Sequence, residues 1–338
     1  MYRCLQLAEN GCGNVSPNPL VGSVIVYNNK IIGEGYHIKA GEAHAEVNAI
    51  HSVINKDLLS KSTLYVNLEP CAHFGKTPPC ADLIIQHKIP NVIIGCSDPF
   101  SKVAGKGIEK LRNAGINVTT GILEEEAIFL NRRFFTFHTK KRPYIILKWA
   151  QTIDKLIDRK REISEKPSVI SNQEAHRLSH LWRSQEDSIM IGTNTAIMDN
   201  PNLTTREVFG KNPIRVVLDQ HCTLSEKLNL FNDQSQTIVF NNCKETVKDN
   251  IEFIKLDFRT KSLQPILNVL YQKNIQSIIV EGGAHLISSF LDQNLWDEVK
   301  VFVAPNHLNN GVKAPQLPFG KTSKIQLGDN NLLVIHKE

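Results

Sequence analysis

No run of about eighteen consecutive apolar residues occurs in this chain. Its opening segment, MYRCLQLAENGCG, has no long apolar stretch of the kind a secretion signal needs. Both absences lead us to expect a cytoplasmic protein without a membrane partner. Aromatic residues are sparse, at 7%, and the three Trp and fourteen Phe are scattered, so no base-stacking platform stands out. Charge is only mildly unbalanced, at a net +5. That suits an enzyme of phosphorylated small molecules or a surplus of surface lysine, and is too weak to argue for nucleic acid. Internal repeats and low-complexity segments are lacking. The seven cysteines are odd in number, and only Cys71 and Cys80 share a distinctive setting. A disulfide framework is therefore not expected; one thiolate site in a reduced protein is.

What is present is length. At 338 residues, 41% of them apolar, the chain can build two ordinary cores. Strand and helix signals alternate in both halves, as in an α/β protein. VGSVIVYNNKIIGEGYH reads as a hairpin turning at Asn28-Asn29. HAEVNAIHSVI carries Val47, Ile50 and Ile54 at helical spacing. TLYVNL and NVIIGCSD read as strands, PPCADLIIQHK and GIEKLRNAG as helices, NVTTGI as a last short strand. Residues 124 to 143 read as a helix that becomes basic and stops at Pro143, and we place the domain boundary there. Beyond it, YIILKWA, SIMIG, IRVVLD, TIVFN, FIKLD, SIIVEGG and EVKVFVAP read as strands. NQEAHRLSHLWRSQ (N-cap Asn172), LQPILNVLYQ and AHLISSFLDQ read as helices.

Two short stretches carry chemistry. GEAHAEVNAI places Glu46 two residues past His44, and LEPCAHFGKTPPC supplies Cys71 and Cys80. His44, Cys71 and Cys80 make three of the four ligands of a tetrahedral zinc and leave one position open. Pro79 would open a helix with Cys80 just inside, where partial positive charge favours a thiolate. Two residues along a helix turn about 200°, so Glu46 would not ligate beside His44 but could move protons near the metal. H-x-E followed by P-C…C is the signature of zinc nucleobase deaminases, with Glu as acid/base. A core histidine and two incidental cysteines are the bland alternative. In the second half, VEGGAHL places two glycines between a strand and a helix. A pyrophosphate at the helix N-terminus and a simple tight turn both fit. The glycines do not form G-x-G-x-x-G, so a Rossmann reading is unwarranted.

Eight residues separate the cysteines, where deaminases of nucleic acids and free nucleosides typically have two. With SPNPLVG (residues 16 to 22), HAEVNAI and EPCAHFGKTPPC, the chain resembles the bifunctional riboflavin-biosynthesis deaminase/reductases over nearly its whole length. The resemblance implies a cytidine-deaminase-like three-layer α/β/α domain over residues 1–140. It implies a dihydrofolate-reductase-like α/β domain over 143–338. Zinc falls on His44, Cys71 and Cys80, with Glu46 as catalytic acid/base and Asn18, His73 and Lys76 around the substrate. NADPH falls on Ala150, Thr195, Asp199 and the run Gly283, Ala284, His285, Leu286, Ile287, Ser288 and Ser289. Lys148, Arg183, Leu203, Arg206 and Glu281 become substrate residues.

The implied reactions are hydrolytic deamination of a diaminopyrimidinone bearing a ribosylamino phosphate, then NADPH-dependent reduction of its ribosyl group to ribityl. The partner is thus a small phosphorylated pyrimidine and no nucleic acid; a homo-oligomer is left open. This chain departs from the family at Phe100 and Ser101, where Asn and Pro are usual. It also departs at Lys155 (usually Gly), Pro167 (usually Ser) and Val169-Ile170-Ser171 (usually Trp-Ile-Thr). Two rivals follow: an active deaminase whose reductase half has become structural, and a nucleic-acid or nucleoside deaminase.

Overall fold

The structure is a computed structural model that describes residues 1–72, 74, 78–100, 104–163 and 165–337. It separates into two compact units, Met1–Lys141 and Arg142–Glu338.

In the first unit, helix α1 (Tyr2–Glu9) precedes strands β1 (Gly22–Tyr27) and β2 (Lys30–Tyr36). Asn28 and Asn29 both adopt positive φ, 47° and 58°, as a two-residue hairpin turn requires. There follow α2 (Ala45–Ser52), β3 (Thr63–Leu68), α3 (Cys80–Gln86), β4 (Asn91–Cys96), α4 (Lys106–Asn113), β5 (Asn117–Thr119), α5 (Glu124–Leu130) and α6 (Arg132–Lys140). The sheet order is β2-β1-β3-β4-β5. β3, β4 and β5 run parallel, with α3 and α4 as the crossovers. Side chains alternate across the pleat. Ile25, Leu64, Val66 and Ile94 meet Ala49, Ile50, Ala81, Ile84 and Leu111 of α2, α3 and α4. On the other face, Val24 meets Cys4 and Leu7 of α1, while Leu68 and Cys96 meet Ala127 of α5. The result is three layers.

The first unit differs from expectation at three places. The α2 stripe is not Val47, Ile50 and Ile54, since α2 ends at Ser52 and Ile54 is fully exposed. The buried positions are Ala45, Glu46, Ala49 and Ile50, with Val53 just past the end, so of the three expected residues only Ile50 lies on the stripe. Residues 124 to 140 form two helices, broken at Asn131. The break is useful: the buried Asn131 amide donates to Leu20 O at 2.9 Å and accepts from Leu20 N at 2.8 Å. It thereby pins the loop that bears Asn18. The last strand of the unit is only Asn117–Thr119.

The second unit holds β6 (Tyr144–Thr152), β7 (Leu156–Asp158), α7 (Gln173–Gln185), β8 (Ser188–Gly192), α8 (Thr193–Asp199), β9 (Ile214–Leu218), β10 (Thr237–Asn241), β11 (Thr246–Lys248), β12 (Ile251–Lys255) and α9 (Gln264–Gln272). β13 (Ser277–Val280), α10 (Ala284–Asp292), β14 (Glu298–Ala304), β15 (Val312–Lys313), β16 (Lys321–Leu327) and β17 (Asn330–His336) complete it. Ten strands form one sheet in the order β11-β12-β10-β9-β8-β13-β6-β14-β17-β16. From β12 to β14 the neighbours are parallel. Those strands are apolar on both faces because helices cover both. α9 and α10 pack on Ile145, Leu147 and Val280; α7 and α8 pack on Ile146, Ile189 and Ile279. The β16–β17 hairpin lay outside the sequence reading. β16 is exposed along almost its whole length and shows no apolar alternation. Among the described residues, no helix is long and apolar enough to cross a membrane.

Candidate functional site

Three segments of the first unit converge on one point: the start of α2, the loop after β3 and the start of α3. His44 is the N-cap of α2, with φ −73° and ψ 166°. Its extended backbone turns the imidazole toward the start of α3. Cys71 follows β3 in a loop, and Cys80 is the first residue of α3, with Pro79 as its N-cap. His44 Nδ1 lies 3.6 Å from Cys71 Sγ and 3.3 Å from Cys80 Sγ. All three donor atoms fall within 4.8 Å of one another. Zinc bonds of about 2.3 Å to sulfur and 2.05 Å to nitrogen, at a tetrahedral angle, place S and N about 3.6 Å apart. The donor set therefore fits zinc in both chemistry and spacing. Among the described residues it is the one cluster of three or more metal-ligating side chains.

Charge is shared unevenly between the two thiols of this triad. Cys71 is the acidic member. Its thiol is drawn down to about 4, first because the Cys80 thiol donates to it, and also because His44 and the Cys80 N–H at 3.3 Å do. Cys80 is pushed up by that same donated bond and by burial. The hydrogen bond to Cys71 raises His44. Glu46 stands on the buried stripe of α2, where an apolar residue would be usual. Burial first, then the Cys71 charge, push its carboxyl up to about 7. A bound cation would draw it back down. Because His44 is extended, the helical offset of about 200° does not describe this pair.

Asn18 is held by a residue the sequence reading missed. The buried His37 donates from Nδ1 to Ala43 O at 3.1 Å, so its Nε2 accepts the Asn18 amide at 3.0 Å. The His37 and His44 rings meet edge to face, 5.4 Å apart. A lone histidine after a strand offered no signal for this. His73, Lys76 and Ser101 lie outside the described residues. Phe100 packs its ring on His138 at 4.8 Å.

In the second unit, Lys148 of β6, Arg183 of α7 and Glu281 after β13 come together. Arg183 donates two bonds to Glu281, at 2.9 and 2.6 Å, and Lys148 Nζ sits 3.7 Å away. The Glu281 carboxyl is drawn down to about 2: burial opposes ionisation, but Arg183 and then Lys148 outweigh it. Lys148 is lowered, because burial outweighs its attraction to Glu281. Two cations against one carboxylate leave this cluster with a net positive charge, which suits an anionic substrate. Arg206 is exposed beside it, its backbone N–H donating to His180 Nδ1 at 3.1 Å. Leu203 has its side chain in the core, so only its backbone could face a ligand.

Gly283 caps α10 with φ +55°. A Cβ there would stand 3.1 Å from Thr195 Oγ1. The backbone thus comes close to Thr195 where only glycine sits without strain. The first-turn N–H groups can take a phosphate, which fits a dinucleotide. Farther along α10 the cradle closes. Ile287 N–H bonds Gly283 O, Leu286 and Ile287 are buried, and Ser289 Oγ donates to His285 O. Ala150 is half-buried on β6. Asp199 is paired with Arg161, whose Nε also bonds Asp158 at 2.6 Å. Lys155, in the usual glycine position, is held at φ +61°, and Val169 is 87% exposed.

Residues 1–96 match the cytidine and deoxycytidylate deaminase zinc-binding region, and residues 143–329 match the RibD C-terminal domain. The chain is 40% identical to the riboflavin biosynthesis protein RibD of Aquifex aeolicus, over 94% of this chain and 89% of that one. Against the Escherichia coli protein of the same name the identity is 33%, over 93% and 89%. A Thermotoga maritima deaminase/reductase structure aligns with TM-score 0.89 at 38% identity, covering 99% of this chain and 97% of that one. An Acinetobacter baumannii RibD aligns with TM-score 0.88 at 31% identity, with the same coverage.

Proposed function

This chain belongs to the RibD family of riboflavin biosynthesis proteins, and from that premise we propose how its own residues divide the labour of a zinc-dependent deaminase and an NADPH-dependent reductase. The first unit takes a diaminopyrimidinone carrying a ribosylamino phosphate. His44, Cys71 and Cys80 would hold zinc, which would supply Lewis acidity toward a water molecule. As the water oxygen adds to the amino-bearing ring carbon, the Glu46 carboxylate takes one of its protons and delivers it to the amino group; the C–N bond breaks, ammonia leaves, and the second water proton ends on the ring nitrogen. Its position on a buried face keeps bulk water from competing for the proton. Asn18, its amide pinned by His37, turns its carbonyl oxygen to the pyrimidine. His73 and Lys76 take the phosphate.

In the second unit, NADPH supplies the hydride that converts ribosyl to ribityl. Thr195, Gly283 and the first turn of α10 bind its phosphates. Lys148, Arg183 and Arg206 draw in the phosphorylated sugar, and Glu281 fixes Lys148 and Arg183 in place. The enzyme works on a small molecule in the cytoplasm rather than on nucleic acid.

The observation that carries this reading is the approach of His44 Nδ1 to Cys71 Sγ and Cys80 Sγ, at 3.6 and 3.3 Å, beside a buried Glu46. The test is incubation with the phosphorylated pyrimidine, with and without NADPH, followed by mass analysis. Without NADPH we expect one amino group exchanged for oxygen; with it, a further gain of two hydrogens. No exchange would reject the deaminase assignment. Exchange without reduction would favour a structural second unit.

A further inference from the structure

Glu69, the residue before Pro70-Cys71, has no assigned role, yet four backbone N–H groups converge on its side chain. It ends the segment that begins with β3, and its backbone N–H bonds Cys96 O at 3.0 Å, continuing the pairing with β4. Its side chain is 4% exposed. Oε2 accepts from Asp98 N at 3.2 Å and Gly105 N at 3.0 Å. Oε1 accepts from Gly107 N at 2.9 Å and Ile108 N at 3.3 Å. One carboxylate thus draws together both feet of the loop between β4 and α4, and caps the first turn of α4 as well.

A buried carboxylate is costly unless its lone pairs are filled, and here four backbone donors fill them. The joint is also tight. A Cβ on Gly107 would stand 1.9 Å from Pro70 O, so α4 starts in direct contact with the segment that delivers Cys71. Asp98, on the near foot, is 8% exposed, and its Oδ1 accepts from Phe100 N at 2.7 Å. The far foot therefore stands directly against the segment that delivers Cys71, and both feet are tied to that segment by Glu69. Helix capping alone would use only Oε1. Closing the loop uses Oε2, which a cap does not need.

We infer that Glu69 is a positioning residue of the deaminase: by clamping Asp98 and Gly105 it fixes these two backbone positions against the Pro70-Cys71 segment and so sets how tightly the pyrimidine is held. Glu69 neither ligates the metal nor carries the proton. The inference rests on the deaminase reading above. It also accounts for a glutamate, with its two acceptor oxygens, before Pro70-Cys71. An uncharged amide at residue 69 has one acceptor oxygen for two donors, and its NH2 would face the other two N–H groups.

The test is steady-state deamination of the phosphorylated pyrimidine by the full chain, comparing wild type, Glu69→Gln and Gly105→Ala. Gly105 has φ +78° and open space around a Cβ, so Ala strains the same loop foot without touching the carboxylate. Both variants should raise the deaminase KM about tenfold or more with kcat within about threefold. Zinc content and the NADPH-dependent second reaction should match wild type. A fall in kcat at unchanged KM, loss of zinc, or a KM unchanged in both variants would overturn the inference. If Glu69→Gln does not fold, Gly105→Ala decides by the same criteria. A wild type that does not deaminate would instead reject the reading on which the inference rests.

Discussion

Replacing Glu281 with Gln removes the one carboxylate that Lys148 and Arg183 share. Their side chains are only 14% and 13% exposed, so both would be left buried without a counter-charge. Breaking a buried pair in this way costs about 3–5 kcal/mol. The carboxyl itself gives a second figure. Its pKa falls from 4.5 to about 2, and at about 1.4 kcal/mol per pH unit that is roughly 3 kcal/mol in favour of the folded unit. Lys148 argues for the lower end of the range, because burial lowers its pKa despite the pairing. We therefore expect Glu281→Gln to destabilise the second unit by about 3 kcal/mol at pH 7. The assay is urea denaturation, read on the transition that NADPH shifts. The pH dependence has a definite sign. A depressed carboxyl stabilises fully above its unfolded value of about 4.5 and loses that contribution as pH falls through about 2. The gap between wild type and variant should close across that window. A gap below about 1 kcal/mol at pH 7, or one that does not narrow in acid, would refute the reasoning.

Lys155→Gly should stabilise the second unit. A left-handed backbone at φ +61° costs a side-chain-bearing residue about 1–2 kcal/mol, and the extra unfolded-state freedom of glycine takes back about 0.4–1. A denaturation midpoint that falls would contradict this. Gly283→Val should weaken NADPH at least about tenfold in a fluorescence titration. A branched side chain at φ +55° would be strained and would crowd Thr195 Oγ1. Deamination should not change. An unaltered affinity would remove the α10 N-terminus from the cofactor site.

Much of the metal site was legible because Cys and His are rare and the flanking HAE and EPC segments are specific. Its detail was not. The Nδ1 face of His44 depends on an extended N-cap conformation that apolar periodicity does not report. The acidic member of the cysteine pair depends on which thiol donates, which is a property of the folded loop. The break at Asn131 was hidden because its partner, Leu20, is 111 residues away and the surrounding FLNRRFF pattern stays helical. Glu69 and His37 were invisible for the same reason: their partners are loop backbone and a distant amide. Strand β16 was missed because an exposed edge strand carries no inward-facing set, whereas its partner β17 does bury Leu332 and Ile335. The departure at Lys155, by contrast, was readable, since a position where relatives use glycine marks a left-handed turn.

The most direct test of the central claim pairs two readings on Glu46→Gln: zinc per chain, and single-turnover deamination of the phosphorylated pyrimidine. The three ligands are untouched by the substitution, so zinc should stay at the wild-type level. The proton carrier is gone, so deamination should slow by about two to four orders of magnitude. Turnover near the wild-type rate would remove Glu46 from the chemistry. Loss of zinc would make Glu46 part of the metal shell and contradict the division of labour between it and His44, Cys71 and Cys80.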